Sequence, residues 1–246
     1  MLWSASGVKG CSIEASDGSI GTVSDLLFDD QSWSLRWIVV SMGPLSGRQV
    51  LMPPSAVVSV DSVGRALTAD VTREQVEDSA ELDVDAPVSR RHERSLFGRG
   101  WKPYLTPRAT ILGGVSGQPT AQGAAKTAGS HRPDERDPLL RSMSEVIGYY
   151  VHARDGYIGH IEDFIVDTDA WAVRYLVVDT VNWWPGKQAL VSPAAFTEVS
   201  WAAKTVDADL TRDQIQGAPE YYPGQVVDRA YEALYHEYYG YPYYWK

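Results

Sequence analysis

Asp17-Gly18-Ser19-Ile20-Gly21 returns 138 residues later as Asp155-Gly156-Tyr157-Ile158-Gly159. At the same offset Asp25 meets Asp163, Asp29 meets Asp167, Trp33 meets Trp171, Arg36 meets Arg174, and Val39-Val40 meets Val177-Val178. Between 17–40 and 155–178, 10 of 24 positions are identical, far more than chance places in so short a window. Upstream, Val8 and Gly10 match Val146 and Gly148. Further on the offset becomes 139: Gly47-Arg48-Gln49 meets Gly186-Lys187-Gln188, and Asp70-Val71-Thr72-Arg73 meets Asp209-Leu210-Thr211-Arg212. The chain therefore holds two copies of a unit of about 70 residues, because a fixed period marks a structural repeat.

Each copy reads as short strands. Val146 to Ala153 is apolar and aromatic and ends at Asp155-Gly156, a hairpin signal, since glycine supplies positive φ without steric cost. Ile158 to Val166 and Trp171 to Val178 follow, dense in β-branched and aromatic residues. Lys187 to Val191, Phe196 to Ser200 and a strand ending near Asp207 complete the set. Thr211 then caps a short helix. Closing such a sheet into a barrel removes the edges that invite pairing with other chains. The expected class is all-β: two small antiparallel barrels, each ending in a short helix. A barrel this small is marginal alone, so two copies could pack as an internal pseudo-dimer.

The pattern Asp-Gly-x-Ile-Gly-x-Val/Ile-x-Asp, then Trp, Arg-Trp/Tyr, Val-Val and a closing Leu-Thr-Arg-Asp/Glu-Gln helix resembles the PRC-barrel family. Gly148-Tyr149 and Arg174 to Thr180 place the second copy nearer that pattern, whereas the first departs from it at Met42-Gly43-Pro44. The family includes the cytoplasmic domain of the photosynthetic reaction-centre H subunit and the ribosome maturation factor. The resemblance implies a bacterial, cytoplasmic, non-catalytic adaptor or assembly module. It also leaves open a peripheral place in a photosynthetic electron-transfer complex.

Four segments follow: a first barrel over 1–86, a basic linker over 87–141, a second barrel over 142–219 and a tyrosine-rich helical tail over 220–246. Residues 87–141 hold ten Lys/Arg against four Asp/Glu, while the whole chain has a net charge of −10. An acidic body disfavours nucleic acid. The linker is rich in Gly, Pro, Ala and Thr, and such composition buries too little apolar area to offset chain entropy, so partial disorder is expected. Within it Phe97, Trp101 and Tyr104 sit among Arg and Lys. They read either as a docking segment or as a strap packed on a barrel. The tail places Val227, Tyr231, Leu234, Tyr235 and Tyr238 at helical spacing, ended by Gly240 and Pro242. Tyr238, Tyr239, Tyr241, Tyr243, Tyr244 and Trp245 are candidate interaction residues, because Tyr and Trp give large contact area at low entropic cost.

Chemistry is sparse. No phosphate loop, zinc helix motif or nucleophile elbow is present, so no catalytic residue and no cofactor are expected. The lone Cys11 excludes an internal disulfide and reads as a buried structural thiol. His152 and His160 flank the second hairpin as weak metal candidates, with Glu162 nearby. Gly18, Gly21, Gly156 and Gly159 read as turn or close-approach positions. Asp25 with Arg36, and Asp163 with Arg174, read as ion pairs across adjacent strands that fix register. Trp33 and Trp171 complete the structural set. No apolar run nears the roughly 18 residues of a membrane span, and no leader is recognised at the start. The leading expectation is a protein partner of unknown identity, with the barrels paired within the chain or in a homodimer. A small-molecule or metal sensor in the groove between barrels is the alternative. Peripheral membrane association stays open.

Overall fold

The computed structural model describes residues 1–43, 47–79, 140–180, 187–222 and 224–245. In the first unit β2 (Ser12–Ala15), β3 (Gly18–Asp29), β4 (Leu35–Ser41), β5 (Gln49–Met52), β6 (Val57–Asp61) and β7 (Ala66–Ala69) form one sheet in the order β5-β4-β3-β2-β7-β6. The second unit repeats that order with β9 (Tyr150–Ala153), β10 (Gly156–Asp167), β11 (Ala172–Asp179), β12 (Gln188–Val191), β13 (Phe196–Ser200) and β14 (Thr205–Ala208). The expected all-β pair of units is thus what the chain builds. The pairing is antiparallel except for β2 with β7 and β9 with β14, which run parallel. Each sheet path ends at β5 and β6, or at β12 and β13, without a hydrogen-bonded closure between those ends.

The seventh strand of each sheet comes from the other half of the sequence. β1 (Leu2–Ser4) pairs antiparallel with β10, with Leu2 opposite Asp167 and Ser4 opposite Ile165. β8 (Leu140–Ser142) pairs in the same way with β3, with Leu140 opposite Asp29 and Ser142 opposite Leu27. β8 therefore begins two residues before the barrel boundary expected at 142. One-turn helices follow both strands, α1 (Ala5–Val8) and α3 (Met143–Val146), so Val146 closes a helix rather than opening a strand. Their N-caps are Ser4 and Ser142.

The exchange continues at a second crossing. Leu35 donates its amide to the Trp171 carbonyl at 2.7 Å, and Val173 donates to the Trp33 carbonyl at 2.8 Å. Ser34 and Ala172 bridge between them. The two bonds are related by the repeat offset, so this point marks a local two-fold relation between the copies. Trp33 and Trp171 both take the left-handed region, at φ 56° and 48°. That conformation costs a non-glycine residue roughly 1–2 kcal/mol, and here it presents each carbonyl to the opposite unit.

One continuous apolar core draws on both halves, from Leu26, Phe28 and Trp33 to Phe164, Val166 and Leu176. Phe28 lies 5.1 Å from Trp33 and 6.0 Å from Phe164, ring centre to ring centre, and Trp33 lies 5.2 Å from Phe196. Trp201 adds a contact to Phe28 at 6.4 Å. Each unit then ends in a helix with a full capping box. Thr72 and Gln75 begin α2 (Arg73–Glu77), and Thr211 and Gln214 begin α4 (Arg212–Gly217). Asp17 and Asp155 accept the amides of Arg73 and Arg212 at 2.8 and 3.0 Å, tying each hairpin turn to its closing helix.

Candidate functional site

The repeated glycines divide into two roles. Gly18 and Gly156 open β3 and β10 at φ 135° and 139°, a region other residues rarely enter. Gly21 and Gly159 lie where strands cross: a Cβ there would stand 2.0 Å from the Ser41 carbonyl oxygen or 1.8 Å from that of Asp179.

The expected Asp–Arg pairs are not formed as read. Asp25 accepts from the hydroxyl of Ser142 and from the amide and hydroxyl of Ser144, the latter at 2.9 Å. Asp163 accepts from the Ser6 hydroxyl and, at 3.1 Å, from the Ser6 amide. Each acid holds the start of the other unit's one-turn helix. The cause is register: Asp25 faces Val39 and Asp163 faces Val177 across a bulge, three residues away from the arginines. Arg174 instead donates to Asp167 at 2.9 Å, and Arg36 stands half-buried at the matching place on β4. Burial alone would raise the Asp167 carboxyl. The Arg174 guanidinium and the amides of Asp169 and Ala170 outweigh it and hold that group below the usual carboxylate range.

His152 and His160 do not meet. His152 lies opposite Tyr157 and His160 opposite Tyr150, and each approaches its own carboxylate, Asp207 at 3.4 Å and Asp179 at 3.8 Å. Among the described residues no three metal-ligating side chains cluster. The Cys11 thiol is buried beside the Gly7 carbonyl at 3.3 Å, and burial pushes its pKa up.

The densest constellation is the tail on the second sheet. Helix α5 (Arg229–Tyr239) starts at the Asp228 cap and ends at Gly240, φ 69°. It lies with Tyr221 and Val227 over the outer face of β10, β11 and β12. Tyr231 and Tyr235 pack there on Ile165, Tyr175, Val177 and Leu190, with Leu2 from β1 alongside. Glu232 is fully buried beneath the helix, 0% exposed. Its carboxylate accepts from the Tyr175 hydroxyl at 3.1 Å, from Tyr244 and from Arg229. Such a buried charge is tolerated only when donors surround it. His236 donates Nδ1–H to the Pro242 carbonyl at 2.9 Å, while its Nε2 lies 3.0 Å from Tyr175. The Arg174 guanidinium stacks on the Tyr244 ring at 3.6 Å.

The tail aromatics thus separate. Tyr239, Tyr241, Tyr243, Tyr244 and Trp245 are half-buried, the last three packed around His236. Tyr239 and Tyr241 stack on each other at 5.4 Å. Tyr238 is 43% exposed and Leu234 58% exposed on the outer side of α5. The helical stripe read from sequence is therefore split: Val227, Tyr231 and Tyr235 face the sheet, Leu234 faces outward, and the partly exposed Tyr238 leans on α4 with its hydroxyl donating to the Gln214 carbonyl at 2.9 Å. Phe97, Trp101 and Tyr104 lie outside the described residues. Glu232, His236, Ser6 and Ser144 were not singled out from sequence. Ser4-x-Ser6 recurs as Ser142-x-Ser144 at the 138 offset, a signal lying just upstream of the repeat as first bounded.

A cavity of about 470 Å³ opens where Met1 to Ser6 meet β10 and the tail, with Ser62 on its wall. The matching residue of the other unit is Trp201, whose ring packs on Phe28, Trp33 and Tyr149. Two acids on the cavity wall are already engaged, Asp163 by Ser6 and Glu162 by Gln188.

Burial pushes the phenols of Tyr175, Tyr231 and Tyr235 well above the usual value, and the Glu232 charge adds to this at Tyr175. A raised folded-state pKa gives stability that is complete below the unfolded phenol value of about 10 and lost as pH rises through the folded value. The tail is therefore expected to leave the sheet cooperatively above about pH 10, with phenolate absorbance and near-ultraviolet dichroism changing together. Phenols titrating singly near their free value, with the dichroism intact, would contradict this packing.

These features define a small β-rich unit, a sheet of one strand order, carried in two copies. Residues 4–76 match the family model of the PRC-barrel domain, so the chain carries a PRC-barrel domain over that stretch, in the first copy, whereas the sequence placed the second copy nearer the pattern. The second unit reproduces the same element order in the structure. A search of curated proteins found no match to the chain. The PRC barrel is a family of interaction and assembly domains, generally non-catalytic. Among the described residues no helix is long and apolar enough to cross a membrane.

Proposed function

We propose that this chain is a non-catalytic adaptor that docks a protein partner on the outward side of the tail helix. The observation that carries the reading is Leu234 and Tyr238, both exposed on a helix whose opposite face is fixed to the sheet by Tyr231, Glu232 and Tyr235. Large apolar groups held rigidly at a surface offer contact area with little further entropy to lose on binding.

The test is capture of the tagged full chain from its native host, beside Leu234→Glu/Tyr238→Glu and a chain lacking Tyr221 to Lys246. A partner identified with the wild type and lost from both altered chains is the expected result, with circular dichroism of the double variant unchanged. A partner retained by the double variant would move the contact elsewhere and overturn the reading.

A further inference from the structure

The two units are copies, but the residues beside their exchanged strands differ in charge and size. Arg141, on the β8 strand that joins the first sheet, lays its guanidinium 4.5 Å from the centre of the Trp201 ring and reaches Asp30 at 3.4 Å. The repeat places Trp3 on β1 where Arg141 stands, and Ser62 where Trp201 stands. Trp3 and Ser62 both line the cavity of about 470 Å³ described above. One copy thus carries its own cation stacked on an indole. The other carries an indole, a small hydroxyl in place of the second large group, and open space.

The acids change in the opposite sense. Glu162 and Asp163 both line the cavity, where a bulge between Ile161 and Asp163 interrupts the alternation of β10. Their counterparts are Ser24 and Asp25, so this copy gains a carboxylate where it loses a guanidinium. Ser6 and Gln188 bond the two acids, but both donors are neutral and leave the negative charge in place. No Lys, Arg or His stands among the described residues of the wall, and the Met1 amine is held by Asp169. Burial first, then the fields of Asp163 and Glu162, raise the Tyr221 phenol on the same wall. Leu2, Ile165, Val177 and Val227 make the remaining lining apolar. The volume falls in the range of small-molecule sites, which combine apolar walls with a few polar groups.

We propose that this cavity binds a small organic ammonium ion, its charge facing Glu162 and Asp163 and its carbon body against Trp3 and the apolar lining. The ligand takes the part that the Arg141 guanidinium plays in the other copy. An ammonium is attracted to an indole more strongly than to any other aromatic side chain. A bare metal ion fits less well, because hard cations require six or more oxygen ligands, and the wall here offers two carboxylates amid hydrocarbon.

The test is titration calorimetry of the intact full chain with choline, with putrescine, and with the neutral carbon analogue of choline, in which a tert-butyl group replaces trimethylammonium. At least one ammonium probe should bind saturably with a Kd below about 1 mM, and the neutral analogue should bind at least about tenfold more weakly than choline. Glu162→Gln, which keeps a hydrogen-bonding group toward Gln188, should weaken the ammonium about tenfold by removing one charge. Ser62→Trp, which installs the other copy's ring in the cavity, should abolish binding, with far-ultraviolet dichroism unchanged in both variants. No saturation by either ammonium up to about 10 mM would overturn the proposal. So would a neutral analogue that binds as tightly as choline, which would make the cavity merely apolar, or binding unaltered in both folded variants, which would place the site elsewhere. The comparison of choline with its analogue uses the wild-type chain and decides the matter even where a variant fails to fold.

Discussion

Phe28→Ala is expected to lower the stability of the whole chain by about 3–5 kcal/mol, the usual cost of removing a large buried aromatic side chain. The distinctive part of the expectation is where the loss is felt. Phe28 belongs to the first unit, but its ring lies against Phe164 and Trp201 of the second. Removing it opens a cavity in a core shared by both, and the strands that cross between the units prevent either from relaxing alone. Phe164→Ala should give a loss of similar size, and the double variant should lose less than the sum, because the two rings share one contact. Chemical denaturation of the three variants measures this. A loss confined to probes in the first unit would show that the core is divided.

Gly159→Ala is expected to cost about 3 kcal/mol or more, at the upper end of what overpacking does. A Cβ there would lie 1.8 Å from the backbone oxygen of Asp179, and backbone cannot rotate away as a side chain can. The bulge in β10 and the pairing of His160 with Asp179 would have to shift together. Gly18→Ala provides the comparison. It meets nothing within 4 Å and has only its φ of 135° to strain, a cost of roughly 1–3 kcal/mol. Equal effects of the two substitutions, measured by thermal unfolding, would mean that close approach at Gly159 is not what its glycine serves.

Much of this fold is visible in the sequence because the repeat doubles every signal. Gly18 with Gly156, Thr72 with Thr211 and the Val-Val pairs declare turn, cap and strand twice, and agreement between copies removes most ambiguity. What the repeat could not show is which copy a residue serves. Asp25 and Arg36 look like partners on adjacent strands, but a bulge between Val23 and Asp25 shifts the register. The acid then meets Ser142 and Ser144, more than 100 residues away in sequence. Strand exchange is invisible to local pattern for the same reason: Leu2 to Ser4 and Leu140 to Ser142 are too short to show a period. The tail was legible as a helix from its spacing. Its buried Glu232 was not, since a glutamate three residues after an arginine reads as a solvated pair.

The central claim is that the two units are one cooperative body, locked by β1 on β10, β8 on β3 and the crossing of Leu35 and Val173. Urea unfolding of the full chain, followed by hydrogen exchange at β4 and at β11, tests it most directly. The account predicts one transition, with the slowest amides of both strands reporting the same free energy and the same dependence on urea. Two transitions, with β4 and β11 opening at separate urea concentrations, would contradict it.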